Sequence, residues 1–336
     1  MLRPMTYRIT PRRRAVLASA LTMPGAAHAQ PRAARGFNLV ATPQAPLGSA
    51  AAAESFARMV AAGADSVALV CFLWQARPDS AAIVRGSDMG DAELAAGIAQ
   101  ARAAGLSVMV KPHIWVPESW AGEVAPGDEP GWRSWFADFR AALIPLARLA
   151  QAEGAASFCL GTEMRRTSRR PDWAGVVEAA RGVFRGRLLY TAHNADEAQH
   201  VPFWGALDAI GVSLYPALGG DADRPSWQAA MAAEAARIDA IAVRHRKPVW
   251  VTEIGIRSAE GAAAKPWESA EERAAPADGA LQAAVLEAWL GVLDRPSVAG
   301  VLVWRWFSDP TAGGPADTDF TVQGKPAEAM LRARWL

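Results

Sequence analysis

Cysteine is scarce in this sequence: Cys71 and Cys159 are the only two in 336 residues, each inside an apolar, strand-like run. So few in so long a chain exclude a disulfide-stapled scaffold, and both read as small buried hydrophobes. Histidine is scarce as well, and the five present form neither His-x-His nor His-Glu-x-x-His. Zinc-site spacings are therefore missing, and no metal or other cofactor is expected. No Gly-x-Ser-x-Gly elbow is present for a serine nucleophile. The first apolar run leads into Thr42-Pro43-Gln44-Ala45-Pro46 rather than a glycine-rich phosphate loop, which argues against an open dinucleotide-binding sheet. A charge excess of one sign is also lacking, because the formal net charge is only +1. Without clustered Lys and Arg the chain has no electrostatic footprint for nucleic acid, and Arg169-Arg170 reads as a solvated loop. No segment of the mature chain has the length and apolarity of a membrane span.

What the sequence does have begins with a cationic start. Arg3, Arg8, Arg12, Arg13 and Arg14 precede every acidic residue, and an apolar run follows to Ala27-His28-Ala29. Basic, apolar and small-x-small regions in that order predict a signal peptide over residues 1–29, cleaved before Gln30. Arg13-Arg14-Ala15-Val16-Leu17 resembles a twin-arginine export signal, an address read by the export machinery. Loss of those five arginines takes the formal charge from +1 to about −4. The expectation is an exported protein, periplasmic or secreted. The sequence carries no signature of an oligomeric state.

Across residues 30–336, short runs of Val, Ile and Leu alternate with Ala-rich helical segments. Strands are predicted near 36–41, 66–73, 107–111, 156–161, 187–192, 208–213, 248–253 and 300–305. Helices are predicted near 49–63, 91–104, 131–153, 174–184, 227–245, 277–293 and 326–334, with a short one near 202–207. Parallel neighbours need crossover connections, so this alternation predicts βαβ units. Eight strands and eight helices in about 300 residues predict a single-domain (β/α)8 TIM barrel. Long connections at 112–130, 214–226, 254–276 and 306–325 would then all open on the C-terminal face, where such barrels keep their active sites.

Two of the predicted strands, the fourth and the seventh, end in a glutamate: Glu163 in Gly161-Thr162-Glu163 and Glu253 in Thr252-Glu253-Ile254-Gly255. A carboxylate at the end of a buried strand is costly to desolvate and needs partners. Those strands lie on opposite sides of a barrel, so the two carboxylates can face each other across its mouth. Glycosidic bond cleavage needs such a pair: one carboxyl protonates the leaving oxygen and the other attacks the anomeric carbon, about 5 Å away in retaining enzymes. The alternative is that each glutamate anchors a rim cation.

Lys111 and His113 share a face if the third strand persists, since side chains alternate with period two. They are candidate donors to sugar hydroxyls, or in the case of Lys111 a structural ion pair. His193 and Asn194, after the fifth strand, read as sugar contacts or supports. Of Trp304 and Trp306, only one is expected to face the cleft as a sugar platform, with Arg305 between them pointing the other way. Trp74, Trp115 and Trp120 are candidates to extend it.

Lys111-Pro112-His113, Gly161-Thr162-Glu163, Thr252-Glu253-Ile254-Gly255, and Val303-Trp304-Arg305-Trp306-Phe307 leading to Asp317-Thr318-Asp319-Phe320 and Gly324-Lys325-Pro326-Ala327, together resemble glycoside hydrolase family 113. The similarity runs from about Arg35 to the C-terminus. It implies a β-mannanase-like retaining enzyme acting on a polysaccharide or oligosaccharide such as mannan or glucomannan, with Glu163 as acid/base and Glu253 as nucleophile. Tyr215 matches the tyrosine that bonds the nucleophile in that clan. Trp304 is favoured as the sugar platform on the same resemblance, which Val303-Trp304-Arg305-Trp306-Phe307 helps to carry, and not on strand parity. Thr162 departs from the clan, much of which has Asn there to touch the sugar 2-hydroxyl; Asn194 is a possible substitute. A non-catalytic glycan-binding barrel in polysaccharide export or assembly, and a transglycosylase, are the alternatives.

Overall fold

A computed structural model describes residues 32–86 and 89–336. The predicted signal peptide, residues 1–29, lies outside the described residues. Eight parallel strands close a barrel: β1 (Ala34–Val40), β2 (Ser66–Trp74), β3 (Ser107–Trp115), β4 (Ser157–Thr162), β5 (Arg187–His193), β6 (Ala209–Leu214), β7 (Val249–Ile254) and β8 (Val298–Phe307). Each pairs with the next in sequence, and β8 pairs back to β1 from Ala34 opposite Gly300 onwards. Helices follow the strands in order: α1 (Ala50–Ala61), α2 (Asp91–Ala103), α3 (Glu129–Ala152), α4 (Trp173–Arg181), α5 (Asn194–Ala198), α6 (Arg224–His245), α7 (Gly279–Val292) and α8 (Pro326–Trp335). The fold is the single (β/α)8 barrel read from the alternation.

Helix starts follow from local chemistry. Ser49, Asp128, Asp223 and Asp278 each accept a hydrogen bond from a first-turn N–H of α1, α3, α6 and α7. Each such cap stabilises its helix by about 1 kcal/mol. Proline stands in the first turn of α3, α6 and α8, where no backbone N–H is required of it.

Strand alternation separates two cores. Val67, Leu69, Cys71 and Leu73 of β2, for example, join the large cluster packed between strands and helices. The opposite face supplies the barrel interior, where Ala68, Met109, Cys159, Leu189, Ala209, Trp250 and Leu302 fill the lower layer. The Trp250 indole fits there because Gly300 on the neighbouring strand has no side chain; a Cβ on it would stand 2.7 Å from the indole. Above this floor the same face turns polar: Asn38, Lys111, Thr191 and Thr252 are all buried. Cys71 and Cys159 are both buried, as expected of small hydrophobes.

Three local expectations are corrected. The third strand was predicted to stop at 111 but pairs with β2 residue by residue as far as Trp74 opposite Trp115. A two-residue strand, Val84–Arg85, adds antiparallel to the same end of β2, so these strands rise above the barrel rim as a wall. After β5 the short helix begins at once, at Asn194, while the predicted helix near 202–207 is only a 3-10 turn at Trp204–Ala206. Among the described residues no helix is long and apolar enough to cross a membrane.

Candidate active site

Glu253 is the penultimate residue of β7 and lies at the bottom of the mouth, 5% exposed. Its Oε1 accepts from Nζ of Lys111 and its Oε2 accepts from the Tyr215 hydroxyl at 3.1 Å. The Lys111 ammonium, fully buried, also donates to Asn38 Oδ1 at 2.9 Å and to the Thr252 carbonyl at 3.4 Å. Three acceptors for three N–H bonds is what a desolvated ammonium requires. Burial pushes the Glu253 carboxyl up, Lys111 pulls it down, and the charge on Glu163 pushes it up again, leaving it above the ordinary value. Burial, then the Glu253 charge, raise Tyr215 well above the ordinary phenol range, so its hydroxyl keeps the proton it donates.

His113, two residues beyond Lys111 on β3, shares its face as expected. Its Nε2 is 3.5 Å from Glu253 Oε1 and has no hydrogen-bond partner although buried. Burial and the adjacent ammonium hold its pKa well below the usual value, so the ring is neutral. Trp304 stacks on that ring, centroids 5.5 Å apart and planes 18° apart.

Glu163 follows β4 with a left-handed backbone, φ 56°. Its N–H donates to the Thr191 carbonyl at 2.7 Å, and Oε1 lies 3.0 Å from His193 Nδ1. Burial pushes Glu163 up, but the charge and hydrogen bond of a protonated His193 outweigh it and hold the carboxyl below its ordinary value. Burial pushes His193 down and Glu163 more than reverses that. Asn194 acts on this balance. Its Oδ1 accepts from the Tyr215 backbone N–H at 2.8 Å, which turns Nδ2 toward His193 Nε2 at 3.1 Å. An amide NH2 facing a ring nitrogen requires that nitrogen to be unprotonated. The neutral imidazole with its proton on Nδ1, donated to Glu163, is therefore the tautomer that satisfies every group. In that form the His193 charge no longer holds Glu163 down, and burial, which favours the protonated acid, is opposed by the His193 hydrogen bond, the Ser213 hydroxyl and the more distant Lys111 charge.

The sequence-predicted residues separate into three groups. Lys111, His113, Tyr215 and Trp304 gather around Glu253, and His193 and Asn194 around Glu163. Trp74 and Trp115 stand on the raised wall with Phe72, their rings 6.1 Å apart and Trp115 50% exposed. Phe72 bridges that wall to His113 at 6.1 Å. Trp120 meets the His193 ring edge-on at 5.1 Å, on the other side of the mouth. Trp306 is buried against Phe37 in the outer core. Arg305 does not point away from the cleft: its guanidinium lies 5.6 Å from the Trp304 ring centroid and pairs with Asp319 through both Nε and Nη2. Asp319, in the loop after β8, draws it there.

Asn38 and Phe72 were not singled out in the sequence. Asn38 carried a signal, a polar residue in the apolar strand run Phe37-Asn38-Leu39 with the parity of the barrel interior. Beside Phe72 a cavity of about 300 Å³ opens between Val40, Thr42, Pro43, Pro46, Val70 and Met89. Among the described residues no group of three or more His, Cys, Asp or Glu gathers as a metal site.

A closed (β/α)8 barrel with a buried carboxylate at the end of β7 and a partly exposed one just past β4, walled by aromatic rings, has the architecture of a carbohydrate-cleaving barrel enzyme. Comparison with known proteins makes the class specific. The family model of Glycoside Hydrolase Family 113 matches residues 39–325. The chain belongs to that family and is a glycoside hydrolase. It is similar to the GH113 β-mannanase of Alicyclobacillus acidocaldarius, with 25% identity, TM-score 0.79, and coverage of 90% of this chain and 97% of that one. A second solved structure, a GH113 β-1,4-mannanase in complex, gives 25% identity, TM-score 0.79 and coverage of 89% and 97%. A β-glucuronidase of Ruminococcus gnavus shares the fold at 13% identity and TM-score 0.61, with 90% of this chain covering 50% of that one. No curated protein matches.

Proposed function

We propose that this protein is a retaining β-glycosidase that cleaves β-1,4-linked mannan or glucomannan chains by double displacement, with Glu253 as nucleophile and Glu163 as acid/base. The observation that carries the reading is the unequal surroundings of the two carboxylates. Glu253 is held by an ammonium and a phenol, groups that favour an ionised, oriented nucleophile; Glu163 is held by a neutral imidazole, whose hydrogen bond opposes protonation less than a cation would. Divergent environments of two titratable groups are how one site runs acid and base chemistry together.

The proton balance supports the same roles. The two carboxylates and their cations titrate as a set. Moving a proton from His193 to Glu163 leaves the total charge unchanged and replaces an ion pair by two neutral groups, which desolvation by an incoming sugar favours. Neutralising Glu163 also removes the repulsion that adds to burial in raising Glu253, while Lys111 continues to favour the ionised nucleophile. Glu253 then attacks the anomeric carbon while Glu163 protonates the leaving oxygen; in the second step Glu163 takes the proton of water as it attacks the glycosyl ester.

Trp304 supplies an apolar plane for the sugar on the nucleophile side, and the buried Nε2 of His113 is placed to bond a sugar hydroxyl. Trp74 and Trp115 extend that side, Trp120 the other. Asn194 is assigned to the His193 tautomer rather than to the sugar, so Thr162 has no amide replacing its clan counterpart at the 2-hydroxyl. The substrate follows the β-1,4-mannanases that the chain resembles. Export by the signal over residues 1–29 would place the enzyme where such polysaccharides are found.

The test is hydrolysis of mannan, glucomannan, cellulose and xylan oligosaccharides, followed by proton NMR of the first product. The reading expects mannosyl substrates to be cleaved with the β-anomer formed first. First appearance of the α-anomer would exclude double displacement.

A further inference from the structure

We propose that a buried tyrosine–carboxyl pair, Tyr190 and Glu197, is the clamp that holds the acid/base and its histidine in register, so that both act as positioning residues for proton transfer. The inference rests on the roles given above to Glu163 and His193.

The argument starts from backbone strain. Two non-glycine residues of the site have left-handed backbones, Glu163 (φ 56°) and Asn194 (φ 53°). Such a conformation is unfavourable for a residue with a Cβ and persists only where surrounding bonds enforce it. Glu163 is followed by Met164, and Asn194 is preceded by His193. The N–H of Met164 donates to the Tyr190 hydroxyl at 2.9 Å, and the N–H of His193 donates to Glu197 Oε2 at 2.7 Å. Tyr190 in turn donates to Glu197 Oε1 at 2.5 Å. One continuous chain of hydrogen bonds thus runs from the residue after the acid/base, through a phenol and a carboxyl, to the backbone of its histidine partner.

The chain is buried and well enclosed. Tyr190 is 0% exposed and Glu197 1%. Trp173, Phe203 and Trp204 surround the phenol ring, so the hydroxyl has one place to go. Burial lifts the Glu197 carboxyl to about 7, opposed by the His193 N–H, Tyr190 and Ser168, with the charge on Glu163 adding to the lift. Burial thus opposes a full second negative charge behind Glu163, while the hydrogen bonds fasten the two segments. Neither side chain is needed to complete the barrel: β5 pairs with β4 and β6 through its backbone.

E197Q and Y190F test the clamp. E197Q keeps an acceptor for the His193 N–H but turns its amide hydrogens on the phenol; Y190F removes the acceptor of the Met164 N–H. A displaced acid matters only where the leaving group needs a proton. The expected result is that kcat/KM on mannopentaose falls about 10- to 100-fold in either variant, while kcat/KM on a dinitrophenyl β-mannobioside falls less than about three-fold. Crystal structures of the variants should show the His193–Glu163 contact opened beyond about 3.5 Å. Equal losses on the two substrates, or a contact kept at 3.0 Å, would overturn the proposal. If the unmutated protein cleaves neither substrate, the functional reading fails, and the variant structures still decide whether the pair is a clamp. Should one variant not fold, the other carries the test.

Discussion

Replacing Lys111 by methionine removes the cation from Glu253 while keeping most of the side-chain volume, and its consequences can be worked from the site. Lys111 is fully buried and Glu253 nearly so; among the described residues the other basic group beside the carboxylate is His113, which is neutral. Breaking one side of a buried ion pair costs about 3–5 kcal/mol if the remaining charge is kept. At 1.36 kcal/mol per pKa unit, that corresponds to a rise of about two to four units, which the carboxyl takes by binding a proton. Glu253 already lies above its ordinary 4.5, with Lys111 the largest influence pulling it down. The sign is therefore fixed: loss of Lys111 moves Glu253 further up, and the nucleophile is ionised only at higher pH.

The assay is kcat/KM against pH on a mannooligosaccharide. The acidic limb should move up by about two units, so that the variant loses about 100-fold well below both pKa values and recovers part of it toward alkaline pH. An acidic limb that stays in place while activity drops equally at every pH would refute the assignment of Lys111 to the charge state of Glu253.

Asn194→Asp places an acceptor opposite His193 Nε2 and favours the imidazolium, which holds Glu163 low; the basic limb on oligosaccharides should fall by about one pH unit, and an unchanged limb would contradict the tautomer argument. Trp304→Ala should raise KM on mannooligosaccharides by about ten-fold with a smaller effect on kcat, corresponding to loss of about 1.5 kcal/mol of ring contact. Asp319→Asn tests the Arg305 pair. Burial pushes Asp319 up and Arg305 more than reverses it, so its pKa lies below 3.8 in the folded chain. The stability it contributes, about 1–3 kcal/mol, is present above that value and lost as pH falls through the folded pKa. Thermal melts should show the variant least stable relative to the parent at neutral pH, with the gap closing in acid.

The barrel was legible because its signals are periodic. Val-rich runs alternating with Ala-rich helices leave few topologies once parallel crossovers are required. Glu163 and Glu253 stood out because a carboxylate ending a buried strand is rarely placed without partners. The period-two rule put Lys111 and His113 on one face, and the strand continues to Trp115 as that required. What stayed hidden depends on contacts across the barrel. Asn38 meets Lys111 and Thr252 from strands far apart in sequence. The orientation of the Asn194 amide depends on a backbone N–H at Tyr215, and no spacing announces that. Tyr190 lies inside a predicted strand run and Glu197 in the connection before the helix predicted near 202–207, and nothing joins them until α5 is seen to begin directly after β5. Arg305 was misplaced because strand parity breaks there: Asn38 pairs with Trp304 and Leu39 with Trp306, leaving Arg305 outside the pairing.

The most direct test of the central claim is to trap the glycosyl-enzyme with a fluorinated mannobiosyl fluoride, which forms the intermediate faster than it is released. Peptide mass spectrometry then locates the label. The account predicts one equivalent on Glu253, absent in Glu253→Ala and still formed in Glu163→Ala. A label on Glu163, or steady turnover of mannan by Glu253→Ala, would contradict it.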